Sequence, residues 1–309
     1  MYSGAIVLPG SNNGLHARLS VDCQDTVKMT GGAGMTELST CAPGLRVGCV
    51  GRKLGKAVVV ARGTPLPERL RNDAIVEALL EIQFETGTLP ERFIGRMTDS
   101  GPWKDVEQRY LPAHQLPPSV RQMDPITRVM PTIEMSFTGD EPRLLRVGPN
   151  VVSYHRAKKY VGWETFKLEL DSTIDYLFAA AESVRITRLG LRYLNAVNPA
   201  LHGIRSVADL DLAISVAGEG LNGDVNLNFI VDLGATGKCT VRVATRGIIQ
   251  GPLPENTSAY IDIDVYTDPG FGCTSAVEAK EWIVVAHERE KTEFFHLFTQ
   301  ATIDLLKET

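Results

Sequence analysis

The amino-acid sequence predicts an α+β protein whose antiparallel sheets are each covered by a long helix. Segments in which apolar and polar residues alternate with a period of two indicate strands, and these segments follow one another across turn residues. After each group of strands, apolar residues at spacings of three and four indicate a long amphipathic helix. The order of three strands followed by a helix therefore occurs twice, without matching residues between the two halves.

The composition of the chain changes near residue 64. Residues 1–63 contain one of the 21 aromatic residues but 11 of the 28 glycines, and they carry a net charge of +4. The remainder carries a net charge of −9 and shows the regular periodicity of a globular domain. We therefore predict a disordered or non-native extension over 1–63 and a single α+β domain over 64–309, with two similar halves at 64–200 and 201–309.

In the first half, alternation over Val76–Phe84 predicts a strand, and a proline in the first turn favours a short helix over Leu89–Ile94. The proline-rich segment 98–131 is interpreted as a surface excursion that packs Trp103 and Tyr110 back onto the core. The further strands predicted in this half are Thr132–Phe137, Arg143–Val147, Val151–His155 and Ile186–Val197.

An apolar stripe before the last of these strands predicts a long helix that faces the core. Its members are Trp163, Phe166, Leu170, Ile174, Leu177 and Ala181. In the second half, the segments predicted as strands are Val225–Leu233, Cys239–Arg246 and Ala259–Tyr266. One long C-terminal helix is predicted after them, with Phe294, Phe298 and Leu305 on one side.

Composition and charge exclude several classes of function. The acidic domain lacks the basic stripe that sequence-independent nucleic-acid binding requires. No apolar run reaches the ~18 residues of a membrane span, and the N-terminus lacks the basic and apolar regions of a secretory signal. The five cysteines have no metal-ligand spacing, and Cys239 and Cys273 are expected to be free thiols. These features favour a cytoplasmic protein with neither membrane nor nucleic acid as a partner.

Motifs for catalysis or cofactor binding are incomplete in this sequence. The glycine-rich run at 31–34 lacks the preceding strand and the last glycine of a dinucleotide loop, and a phosphate-loop pattern fails at Val50. The segment after His287 begins like a zincin motif, but Lys291 occupies the position of the second histidine. We therefore predict no cofactor, no metal ion and no catalytic residue, a combination that favours a protein without enzymatic activity.

Charged residues on the predicted strands form the one candidate ligand site. Asp262 and Asp264 are two residues apart on a strand, so both carboxylates point to the same face, about 7 Å apart. The arginines expected to share faces in pairs on two other strands are Arg188 with Arg192 and Arg242 with Arg246. Three interpretations stay open: the charges neutralise one another, the face binds an anion or another ligand, or the acids hold a divalent cation.

Several segments together resemble a sporadically distributed family of uncharacterised bacterial proteins. The segments are Asn72–Ile82, Val147–Asn150, Tyr160–Glu164, Arg188–Asn195 and Ile261–Tyr266, in this order across residues 66–307. The resemblance implies one structural unit over this range and implies no activity, because the family has no established function. Its patchy distribution is similar to that of mobile accessory or defence-associated genes.

The sequence as a whole favours a cytoplasmic binding protein whose partner is another protein, as one component of an accessory or defence-type gene pair. The alternative is a small-molecule sensor or an enzyme whose site lies on the sheet face around Asp262 and Asp264. A sheet backed by a long helix often forms a groove, which keeps a small-molecule ligand open as a partner.

Overall fold

A computed structural model describes most of the chain from residue 66 onward. The described residues are 66–67, 69–99, 101–137, 142–213, 215–216, 219–220, 223–249 and 252–307. The predicted extension over 1–63 lies outside these ranges. Within them, no helix combines the length and the apolar character needed to cross a membrane.

Nine strands of the described residues form one antiparallel sheet. They are β1 (Ile75–Glu85), β2 (Glu107–Tyr110), β3 (Ile133–Phe137), β4 (Arg143–Gly148), β5 (Val151–Ala157), β6 (Arg185–Val197), β9 (Asn226–Asp232), β10 (Lys238–Thr245) and β11 (Ala259–Tyr266), while β7 (Ser215–Val216) and β8 (Glu219–Gly220) pair separately. The order across the large sheet is β2-β3-β4-β5-β1-β6-β11-β10-β9, with antiparallel neighbours throughout. The prediction of an α+β protein with antiparallel strands is confirmed.

The two halves of the chain contribute strands to this sheet in matching order. β1 and β6 lie side by side in the middle, β5, β4 and β3 extend outward from β1, and β11, β10 and β9 extend outward from β6. The repeat runs from β1 to the helix Trp163–Ala180 and from β6 to the helix Ala276–His296, so it changes over before β6 rather than at the predicted boundary at residue 200. In each of these two parts, a long first strand pairs with the last strand of a three-stranded meander. The strands predicted for separate sheets therefore join, through the pairing of β1 with β6, into one continuous sheet.

Seven helices accompany the strands in the described part of the chain. They are α1 (Pro90–Thr98), α2 (Pro118–Met123), α3 (Pro125–Arg128), α4 (Trp163–Ala180), α5 (Pro199–His202), α6 (Ala276–His296) and α7 (Gln300–Leu306). The two long helices contact each other, and α4 contacts β5 while α6 contacts β6 and β11. Their apolar residues and those of the strands form one core, which includes the free thiols of Cys239 and Cys273.

The apolar stripe predicted for α4 faces this core. Phe166, Leu170, Ile174 and Leu177 have no exposed surface. Trp163, in the first turn, is only half-buried and stacks on the ring of His287 in α6, with ring centroids 3.8 Å apart. The first member of the stripe therefore belongs to the contact between the two helices, and the others to the core.

The C-terminal helix differs from the prediction, because it consists of two helices. α6 ends at His296, and α7 begins after Thr299, whose Oγ1 accepts a hydrogen bond from the backbone N–H of Thr302 at 3.3 Å. A threonine at this position caps a new helix by satisfying one of the free N–H groups of its first turn. Phe298 lies in the break between the helices and is fully buried.

The excursion at 98–131 contains β2, α2 and α3. Trp103 is buried as predicted, with its ring centroid 5.1 Å from that of Phe137 and 6.0 Å from that of Tyr154. Tyr110 is exposed, and the prediction that it packs on the core is wrong. The physical reason is that Tyr110 ends β2, an edge strand whose residues are all exposed.

Candidate functional site

The charged face is the side of the large sheet that points away from the core. Side chains alternate along a strand, so the polar residues between the core positions of each strand lie together on this face. Its charged and titratable members, from β2 across to β10, include Arg109, Glu134, Arg146, His155, Glu77, Glu81, Arg188, Arg192, Asp264, Asp262 and Arg242. In the strand register, Arg192 lies opposite Asp264 and Arg242 lies opposite Asp262.

Arg192 and Asp262 form a two-pronged ion pair on the charged face. Nε and Nη2 of Arg192 donate hydrogen bonds to the two carboxylate oxygens of Asp262, at 2.7 and 2.6 Å. Asp262 is only 4% exposed, whereas the side chain of Arg192 is 40% exposed. The hydrogen bonds to Asp262 raise the pKa of Arg192, so the guanidinium stays charged. A metal ion or a substrate at Asp262 would have to displace Arg192.

Arg188 links β1 to β11 by reaching across Gly190. Its Nη1 donates to Oε1 of Glu81 at 2.9 Å, and its Nη2 lies 3.5 Å from Oδ2 of Asp264. A Cβ atom at Gly190 would lie 2.7 Å from Nη1 of Arg188, so the absence of a side chain makes room for the guanidinium. The guanidinium also lies 5.2 Å from the ring centroid of Tyr266, within the range of a cation–π contact.

The network continues onto β5 and β1, where it contains residues that the sequence analysis did not select. Nδ1 of His155 lies 2.8 Å from Oε1 of Glu77, and Nε2 of His155 lies 2.9 Å from Oγ of Ser153. Burial raises the pKa of Glu77, but the hydrogen bond with His155 and nearby positive charges outweigh it, and the net shift is downward. Serine, histidine and glutamate therefore stand in the order of a catalytic triad.

Glu134 joins the outer strands of the charged face. Its two carboxylate oxygens lie 2.7 Å from Nε of Arg146 and 2.6 Å from Nε of Arg109. The carboxylate of Glu134 is buried, and although burial raises its pKa, the hydrogen bonds from the two arginines give a net downward shift. Paired charges therefore extend across the sheet from β2 to β11.

Two of the predicted arginines do not join the ion-paired network. Nε of Arg242 donates to Oδ1 of Asn226 on β9 at 3.0 Å. β10 ends at Thr245, and Arg246 starts a short 3-10 turn in which its Nη1 donates to the carbonyl oxygen of Ile249 at 3.0 Å. The prediction that Arg246 shares a strand face with Arg242 is wrong, because the chain leaves the sheet one residue before Arg246.

The distances on the charged face favour mutual neutralisation among the three interpretations that the sequence left open. Asp262 and Asp264 both lie close to arginines, and in the described ranges no cluster of three His, Cys, Asp or Glu side chains is placed to hold a metal ion. Burial raises the pKa of Asp264 even though Arg188 and Arg192 oppose this shift.

A cavity on the other side of the sheet was missed by the sequence analysis. It has a volume of about 110 Å³ and lies between the segment 67–75, the start of α4, β6 and α6. This volume exceeds what one water molecule needs. Tyr160, Tyr193 and His287 line it, with the two tyrosine hydroxyls 3.4 Å apart and the Tyr193 hydroxyl 3.3 Å from Nδ1 of His287.

Glu290 is the most unusual residue of this cavity, because a carboxyl group occupies a core position of α6. The buried stripe of that helix runs through Ala279, Ile283, Ala286, Glu290 and Phe294. Glu290 is only 6% exposed, and burial raises its pKa to about 8. A glutamate at an apolar position of a helical stripe is the sequence signal that could have revealed the cavity.

A comparison of the chain with protein-family models and with curated proteins found no match. The charged face and the cavity are therefore the two features of the molecule from which its function is inferred.

Proposed function

We propose that the protein acts by binding a second protein through the charged face. The observation that carries this proposal is the combination of accessible arginines with buried acids that hold them in place. Arg192 is held by Asp262, and Arg109 is held by Glu134, while the side chains of both arginines keep much of their surface exposed. Side chains that are already fixed lose less conformational entropy when a partner docks, which favours binding.

The pattern of charges on the charged face indicates what kind of partner surface can bind there. Both signs of charge alternate across the strands, so a complementary partner surface carries both signs as well. A polyanion such as nucleic acid suits it poorly, because the residues from 64 onward have a net charge of −9. We place this binding in the cytoplasm, where the buried thiols of Cys239 and Cys273 stay reduced, and within an accessory or defence-type gene pair.

Charge reversal at Arg242 tests the proposal, and because a glutamate there would lie opposite Asp262, circular dichroism and thermal unfolding of the variant check that the fold is retained. We expect Arg242→Glu to lower the recovery of a stoichiometric partner by about tenfold or more in affinity purification from the native host, because it places like charges at the interface. The matched control is Arg289→Glu on an exposed position of α6, which should leave recovery unchanged. Equal recovery with both variants, or no stoichiometric partner for the unmodified protein, would contradict the proposal.

A second candidate function, hydrolysis by acyl transfer, is favoured by the arrangement of Ser153, His155 and Glu77. The imidazole stands between the hydroxyl and the carboxylate, with Nε2 toward the serine, as in serine hydrolases. Against it, Ser153 lies in the middle of β5 between two paired strands, so its own N–H belongs to the sheet and cannot stabilise an oxyanion. Arg146, opposite Ser153 in the register, would have to supply that stabilisation.

A covalent serine probe separates the two functions. If the face only binds, a fluorophosphonate probe should leave the full-length protein unlabelled, because Ser153 is buried and its own N–H is not free to bind an oxyanion. Mass spectrometry of the intact protein gives the readout. Labelling that disappears in Ser153→Ala, but persists in the control Ser172→Ala on the exposed side of α4, would establish the hydrolase instead.

A further inference from the structure

The cavity beside α6 has the features of a built ligand site. Four separate parts of the chain surround it: the segment before β1, the residues before α4, the middle of β6 and the second half of α6. Several elements commonly meet around small-molecule sites, and the volume of about 110 Å³, which is below the roughly 300–1,000 Å³ of pockets for drug-sized ligands, suits a smaller ligand.

Glu290 supplies the chemical character of the site. Its side chain lines the cavity and is more than nine-tenths buried, yet no described residue forms a hydrogen bond or an ion pair with it. Lys291 is the next residue of the helix, and neighbouring helical side chains point in different directions, so Lys291 does not pair with it. A buried carboxyl group without a partner is costly, which indicates that a ligand group completes it.

The walls around Glu290 are aromatic. The rings that line the cavity belong to Tyr160, Trp163, Tyr193, Phe294 and Phe295. The faces of such rings carry a partial negative charge and attract cations, and the attraction increases when water is excluded. His287 does not compete as a cation, because burial, with a smaller effect of Lys291, lowers its pKa to about 4.

Two positive side chains, those of Arg69 and Lys291, also line the cavity, and the charge of Lys291 partly opposes the upward pKa shift of Glu290. Arg69 is exposed, and its Nη2 would lie 3.0 Å from a Cβ atom at Gly162, so the guanidinium rests over that glycine at the rim. Asp73 lies near Arg69 and lowers the positive potential there. Glu290 therefore remains the group in the interior that selects the charge of a ligand.

We propose that this cavity binds a small organic cation, a protonated amine on an aromatic or apolar body, with Glu290 as its counter-ion. The ammonium group donates hydrogen bonds to the carboxylate of Glu290, and the body of the ligand packs against the aromatic walls. This site is independent of the charged face, so either function can fail without the other.

Binding of an amine at Glu290 has a characteristic pH dependence. The free protein holds a proton on Glu290 below about pH 8, so binding of an ammonium ion there releases that proton. The association constant should therefore rise about tenfold per pH unit from pH 6 to pH 8 and then level off. The other titratable or charged groups that line the cavity with Glu290 are Asp73 and Arg69 before β1, Tyr160 before α4, Tyr193 on β6, and His287 and Lys291 on α6.

Isothermal titration calorimetry of the full-length protein at about pH 8.5 tests the proposal. Tyramine and 4-hydroxyphenylacetate serve as probes, because they share a phenol ring and differ in the sign of their charge, and cadaverine serves as an aliphatic amine. We expect at least one amine to bind with a Kd below about 1 mM and the carboxylate not to bind. Glu290→Gln should weaken amine binding about tenfold or more, and the exposed control Glu288→Gln should not.

Three results would overturn the proposal. They are the absence of binding by both amines, equal binding of the amine and the carboxylate, and unchanged amine affinity in Glu290→Gln. The comparison of the two phenols uses the unmodified protein, so it decides the question even if Glu290→Gln does not fold.

Discussion

Replacement of Phe166 by alanine is expected to lower the free energy of unfolding by about 3–5 kcal/mol. Phe166 has no exposed surface, and its ring centroid lies 5.7 to 6.2 Å from those of Tyr160, Tyr193 and Tyr154. Truncation removes its buried area and leaves a cavity that these rigid rings cannot fill. Equilibrium unfolding in urea, with fluorescence and circular dichroism followed together, gives the measurement.

Two neighbouring positions on α4 provide the controls for this experiment. Glu164 is exposed, so Glu164→Ala should change the free energy of unfolding by well under about 1 kcal/mol. Trp163 is half-buried, so Trp163→Ala should fall between the other two variants, although its stacking on His287 adds to the loss. Equal and small effects at all three positions would show that α4 does not pack on the sheet as described.

Local periodicity was sufficient to predict most of the strands and the core face of α4. The alternation in β1 and β6 and the stripe in α4 are patterns within one element, and each element needs only its own residues to be recognised. The joining of the halves was not predictable in this way, because β1 pairs with β6 across a separation of about a hundred residues. No feature of either strand alone specifies that partner, since register depends on both.

The candidate sites show the same division between local and long-range information. Alternation along a strand predicted that Arg188 shares a face with Arg192 and that Asp262 shares a face with Asp264. Both predictions are correct because the two residues of each pair lie on one strand. The contact of His155 with Glu77 depends on the register of β5 against β1 and could not be foreseen. The prediction that Arg246 lies on the strand was wrong because the turn that follows β10 determines where the strand ends, and periodicity does not describe that turn.

The charged face and the cavity lie on opposite sides of the same strand. Arg192 points to the charged face, and the next residue of β6, Tyr193, points into the cavity. This alternation keeps the two sites chemically separate, because a strand presents successive side chains to opposite sides. A charge change on one side, such as Arg242→Glu, should therefore leave amine binding on the other side unchanged.

Replacement of Glu290 by glutamine is expected to stabilise the protein at high pH and to have little effect at low pH. The pKa of Glu290 is about 8 in the folded protein, because burial opposes ionisation, and near 4.5 in the unfolded chain. When the pKa of an acid is higher in the folded protein than in the unfolded chain, protonation of that acid favours the folded state. This contribution to stability is complete below the pKa of the unfolded chain and is lost as the pH rises toward the pKa of the folded protein. Each pKa unit between the two values corresponds to about 1.4 kcal/mol, so the loss of stability approaches about 5 kcal/mol as an upper limit.

The difference in unfolding free energy between Glu290→Gln and the unmodified protein isolates this contribution. Other titrating groups change the stability of both proteins alike, so the difference should be near zero at about pH 4, below the unfolded pKa, and should favour the variant by several kcal/mol at about pH 9. Glu288→Gln, on the exposed side of α6, should give no such trend. A difference that is independent of pH would mean that Glu290 has a partner in the fold, and the cavity would then lack the unpaired carboxyl group on which amine binding depends.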